Sequence, residues 1–132
     1  MTSTLYVIMP VGSDDAYPLR RAAIERGAVP VGYRVHFPLD RSSKGTFSLA
    51  TAKRDLKASA AVLADLTNER PSCYYEVGLA QAVNPRVLIV AQQGTPLHQI
   101  AGREEVLFYD SIDALPELLS KSLPPVGQHP KR

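Results

Sequence analysis

Cys73 is the only cysteine in 132 residues, which excludes both a disulfide framework and a cysteine-built zinc site. A reducing compartment is the expectation that follows. His36, His98 and His129 lie far apart without ligand spacing, so no metal and no cofactor are expected. No apolar run approaches the roughly 20 residues of a membrane span. Met1-Thr2-Ser3-Thr4 carries no positive segment of the kind that opens a signal peptide. The expectation is a soluble, cytoplasmic protein that makes no membrane contact. Charge of one sign is not in excess either, since 15 basic and 13 acidic residues leave a net charge of +2. No basic stripe interleaved with aromatics is present, so the pI near 8.8 gives no reason to expect nucleic-acid binding. Internal repeats and low-complexity tracts are absent.

What remains is ordinary for a globular chain: 45% hydrophobic and 21% charged residues. The length suits one domain, expected over residues 1–123, with Pro124-Pro125 opening a flexible tail at 124–132. Leu5-Tyr6-Val7-Ile8-Met9 reads as a first strand stopped by Pro10 and Gly12. Ser13-Asp14-Asp15 reads as a helix cap, and Leu19, Ala22, Ala23 and Ile24 as the apolar face of a helix ending at Gly27. On that reading Arg20, Arg21, Glu25 and Arg26 decorate the outside. Ala28-Val29-Pro30-Val31 suggests a short edge strand, because proline cannot donate to a ladder. Residues 32–45 mix strand alternation with loop chemistry, and 46–59 form a helix with Leu49, Ala52 and Leu56 on one face.

The centre of the chain is the stretch 60–82. Ala60-Ala61-Val62-Leu63-Ala64 is the apolar run of a strand buried on both faces, and Asp65 falls where it ends. Pro71-Ser72 then starts a small-residue helix, with Glu76 expected in its first turn. Asn84-Pro85 ends that helix, residues 86–91 and 105–109 form two more strands, and 111–123 a closing helix. Alternating strands and helices predict an α/β fold, a doubly wound, flavodoxin-like five-stranded parallel sheet of order 2-1-3-4-5. Ligands bind such sheets at the carboxyl edge, where Asp65 and Glu76 should both stand.

Ala64-Asp65-Leu66-Thr67, Pro71 and the run Tyr74-Tyr75-Glu76-Val77-Gly78-Leu79-Ala80 resemble a signature of the nucleoside 2-deoxyribosyltransferase superfamily. That superfamily also holds nucleotide N-glycosidases and is related to TIR-like domains. The resemblance implies Glu76 as a carboxylate nucleophile at an N-glycosidic bond. It implies Asp55 as a proton donor or orienter, and places the segment around Arg41 against the bound nucleoside. Met9, Gly12, Asp65, Ser72, Tyr75 and Arg41 complete the candidate substrate contacts. The run from Pro71 to Glu76 is two residues shorter than the phosphate-binding version of the motif, and Asp14 and Asp15 oppose a phosphate unless Arg20 or Arg41 intervenes. Plainer roles stand beside these. Glu76 could answer the helix end, Asp55 could pair with Thr51, Arg54 or a neighbouring lysine, and Asp65 could cap the amides of Thr67 or Asn68.

The function expected is hydrolysis or transfer at the N-glycosidic bond of a nucleoside or nucleoside 5′-monophosphate. The alternatives are a TIR-like NAD glycohydrolase and a non-catalytic nucleotide-binding sensor. The partner is then a small-molecule nucleoside or nucleotide, and a homodimer or larger symmetric oligomer is expected to complete the site.

Overall fold

Leu5, Val7 and Met9 pack into one hydrophobic layer while Tyr6 and Ile8 pack into the other. This is the period-two alternation of a strand buried on both faces. The computed structural model describes residues 3–12, 14–38 and 48–126. In it β1 (Thr4–Ile8), β2 (Arg34–His36), β3 (Ala61–Asp65), β4 (Val87–Gln92) and β5 (Leu107–Tyr109) form a five-stranded sheet of order β2-β1-β3-β4-β5. Every pairing is parallel, with Leu5 opposite Ala61 and Asp65 opposite Val90. β3 is buried at all five positions, as its unbroken apolar run predicts.

The helices cover both faces. α1 (Tyr17–Ala28) and α4 (Leu115–Ser122) lie on the side of Leu5, Val7 and Leu63; α2 (Leu49–Ala58) and α3 (Pro71–Val83) lie on the side of Tyr6, Ile8 and Val62. α1 and α4 touch so closely at Gly27 that an added Cβ would sit 2.6 Å from the Pro116 carbonyl oxygen. Ser48 caps α2, its Oγ accepting from the Thr51 amide at 3.3 Å. Asn84 ends α3 and ties the lower rim together, donating to the carbonyls of Leu56 and Ser59 and accepting from the Arg86 amide.

Several local expectations are corrected. Val29–Val31 is a 3₁₀ turn, not a strand, and the edge strand is Arg34–His36. The turn closes at Gly32, whose φ of +104° suits glycine. α1 runs one residue past Gly27 to Ala28, and its cap position is Ala16 with no side-chain cap, so Asp14 and Asp15 are not a cap. Leu19 is exposed and Arg20 is buried, the reverse of the assigned faces. Leu49 is exposed, leaving Ala52 and Leu56 as the buried face of α2. The last strand is short because Arg103–Glu105 is a 3₁₀ turn, and another, Ile112–Ala114, precedes α4. The start of the expected tail is pinned: Tyr33 donates its hydroxyl to the Pro124 carbonyl, and Val126 packs over Gly32. Residues 127–132 lie outside the described residues. No helix among those described is long and apolar enough to cross a membrane.

Candidate functional site

Three groups of side chains gather at or near the carboxyl edge of the sheet. The first surrounds Glu76. Counted from Pro71, Glu76 is the sixth residue of α3, and no acid occupies the first turn. The expected anion-stabilising helix end is therefore not where Glu76 stands, since that effect fades within a turn. The carboxyl is instead half-buried, and burial pushes its pKa above the ordinary glutamate range. It borders a small cavity with Val7, Met9 and Val11, with Tyr17 at the start of α1, and with Phe37 and Pro38 after β2. The free space is about 10 Å³, room for a single water at most.

Behind Glu76 lies Tyr6, buried in β1. Burial raises its phenol first, and the charges of Glu76 and Asp55 raise it further. The same phenol is thus close enough to feel both candidate catalytic carboxylates. Its ring meets His36 edge-on at 5.5 Å between centroids. Asp55 does not open onto the Glu76 cavity. It lines a separate groove with Arg34 and His36, and Arg54 Nε approaches it at 3.6 Å, the plain surface pairing.

The second group is a closed network around Asp65, which is fully buried. Its Oδ1 accepts from the Thr67 amide at 3.0 Å and the Thr67 hydroxyl at 2.7 Å, and its Oδ2 accepts from the Tyr109 hydroxyl at 2.7 Å. Thr67 Oγ1 in turn accepts from the Gln92 amide at 2.8 Å. Burial raises the Asp65 carboxyl, against the hydrogen bonds from Tyr109 and Thr67 that lower it. Both oxygens are engaged inside the protein, with Oδ1 capping the Thr67 amide and hydroxyl.

The third group opens an exposed cleft of about 680 Å³ beyond β3 and β4, between the β1–α1 turn and residues 92–96. Arg20 lines it while only 3% exposed, its Nη1 held 3.3 Å from Asp14 Oδ1. Asn68, in the left-handed region at φ +57°, donates from Nδ2 to Asp14 Oδ2 at 2.6 Å. Desolvation pushes Asp14 up, but the Arg20 and Asn68 contacts win and hold it below the usual carboxylate range.

Of the remaining candidates, Met9 does line the Glu76 cavity. Gly12 follows Val11 in the same turn with φ +62°. Ser72 and Tyr75 are exposed on α3 and are not among the residues lining that cavity. Arg41 lies outside the described residues. Cys73 is buried, and burial raises its thiol, so the helix start does not activate it. Sequence reasoning missed Tyr6 and misplaced Arg20. The second error had a signal: Arg20, Ala23, Ile24, Gly27 and Ala28 fall at i, i+3, i+4, i+7 and i+8, the spacing of one helix face, and all five are buried.

No family model matches the chain, and no curated protein matches it. Among solved structures, it is similar to one described as a unique GCN5-related glucosamine N-acetyltransferase region in a fungal multi-domain GH3 beta-N-acetylglucosaminidase. The TM-score is 0.55 at 12% identity, over 93% of this chain and 14% of that one. The chain thus spans about one-seventh of that protein, and a likeness at this identity shows shared fold and nothing finer. These findings overturn the resemblance read in residues 64–80. The assignment to the nucleoside 2-deoxyribosyltransferase superfamily is withdrawn, together with the glycosidase and deoxyribosyltransferase labels it carried.

Proposed function

We propose that the protein is an enzyme acting at the N-glycosidic bond of a nucleoside or nucleotide, with Glu76 as the attacking carboxylate. The carboxylate is read from this chain's own residues, and the N-glycosidic bond as its target carries over the expectation drawn from residues 64–80. One observation carries it: a half-buried carboxylate among apolar side chains, raised by burial, near the edge where open α/β sheets bind ligands. A carboxyl raised this way is a functional candidate because burial that serves only stability leaves charges paired.

In the proposed step, a Glu76 oxygen bonds to the anomeric carbon as the carbon–nitrogen bond breaks. The bonding pair leaves with the base, which takes up a proton. Water or an acceptor then resolves the glycosyl ester and releases the carboxylate. Tyr6, which feels both Glu76 and Asp55, holds its proton tightly and suits an orienting hydrogen-bond donor better than a base. Because the cavity holds no more than one water, substrate entry in this reading requires side chains that line it to move apart.

A chromatographic screen for free base tests the proposal. Nucleosides, their 5′-monophosphates and NAD are each incubated with the protein. Base released from a nucleoside or monophosphate supports it. Nicotinamide from NAD alone points to the NAD glycohydrolase alternative, and binding without release points to a sensor module. No release from any of them removes the reaction.

A further inference from the structure

We infer that the open cleft beyond β3 and β4 is a second binding site, built for a hydroxyl-rich ligand of the sugar class without a phosphate. The inference does not rest on the reading of Glu76. The cleft shares no described lining residue with the Glu76 cavity, and the β1–α1 turn stands between them: Val11 and Tyr17 face one side, Asp14 the other. Its volume of about 680 Å³ falls within the range of roughly 300–1,000 Å³ for small-molecule sites.

The lining selects the ligand by exclusion. No aromatic ring is among the described lining residues, so a nucleobase finds no stacking surface. Arg20 is the one cation among them, and its charge is already committed to Asp14, with buried Asp65 also acting on it. Glu69 adds a further carboxylate, to which His98 Nδ1 is paired. A phosphate would therefore meet more negative charge than positive. The other wall groups are amides and hydroxyls: Asn68, Gln92, Gln93 and Thr95. Amides present both donors and acceptors, which matches hydroxyl groups that do the same.

The floor has hydrogen-bonding capacity left over. Asp14 accepts from Arg20, Asn68 and the Ala16 amide, and a carboxylate accepts about four hydrogen bonds. Gly94, at φ +93° with open space around it, leaves the backbone accessible on the opposite wall.

The test is an amide NMR titration of the full chain with D-ribose, with D-glucose and with ribose 5-phosphate. Saturable shifts at Asn68, Gln93, Gly94 and Thr95 with at least one of the two neutral sugars, with ribose 5-phosphate weaker than ribose, support the site. The paired Gln93→Ala and Thr95→Ala substitution, made on side chains that carry no core packing, should then weaken binding about tenfold or more. Glu76→Gln should leave the titration unchanged, which separates this site from the proposed reaction. No saturable shift with either neutral sugar, tighter binding of the phosphorylated one, or shifts confined to residues around Glu76 would each overturn the inference.

Discussion

Tyr109 and Asp65 meet across the width of β4, the phenol donating to Oδ2 at 2.7 Å although the residues lie 44 positions apart. The bond joins the end of the last strand to the end of the third, and Thr67 completes it from the other carboxylate oxygen. Tyr109→Phe keeps the ring and removes the donor, leaving a fully buried carboxylate short of a partner. The expected loss is about 1–3 kcal/mol of unfolding free energy. Urea denaturation measures it, and a change below about 0.5 kcal/mol would show that the network contributes little.

Glu76 should make stability pH-dependent in a defined direction. Burial raises its native pKa above the unfolded value of about 4.3. Its contribution is therefore fully present below that unfolded value and lost as pH rises through the raised native one. Glu76→Gln removes the ionisation. The variant should match or exceed wild-type stability at neutral pH, and the difference should shrink toward pH 4. A variant that is less stable at neutral pH and gains toward acid would reverse the sign and refute the burial argument.

Asn84 is a small residue with three structural bonds. Its side chain donates to the carbonyls of Leu56 and Ser59, each at 2.9 Å, and accepts from the Arg86 amide at 2.8 Å. Asn84→Ala removes all three at a buried position, and about 2–4 kcal/mol of destabilisation is expected. The measurement is the denaturation midpoint at unchanged m-value. Asn84→Asp keeps the acceptor for Arg86 but sets a buried carboxylate against the Leu56 and Ser59 carbonyls, so it should cost at least as much as Asn84→Ala.

Gly27 is fixed by the approach of α1 to α4. A methyl group there would lie 2.6 Å from the Pro116 carbonyl oxygen and 3.0 Å from the Leu119 Cβ. Helix propensity favours alanine over glycine by up to about 1 kcal/mol, yet the contact is with backbone that cannot rotate away. Gly27→Ala should lose about 1–3 kcal/mol net by forcing the helices apart. A variant more stable than wild type would mean that the α1–α4 spacing yields readily.

The sheet order was legible because four of its strands announce themselves as apolar runs and the connections are helical. The second strand was not. Val29-Pro30-Val31 is the more apolar segment, but Pro30 supplies no ladder donor, and the chain spends it on a 3₁₀ turn before pairing Arg34–His36. The sequence offers Glu76 as a candidate but not its environment. The helix begins at Pro71, which moves Glu76 out of the first turn, and its burial depends on Met9, Tyr17 and Phe37, which come from distant parts of the chain. The partners of Asp65 and the cleft beside Arg20 are likewise tertiary. Local pattern could place Asp65 at a strand end and offer the Thr67 amide as its partner, but it could not supply Tyr109.

The proposed role of Glu76 is tested most directly by trapping. Wild-type protein is incubated with a 2-fluoro analogue of whichever nucleoside or nucleotide releases base, a substitution that slows both steps and traps the glycosyl ester where its formation stays the faster. Intact mass followed by peptide mapping is then recorded. One glycosyl adduct per chain is expected, mapped to Glu76 and absent in Glu76→Gln, whose turnover should fall by orders of magnitude. Full turnover in Glu76→Gln, or an adduct on any other residue, would contradict it.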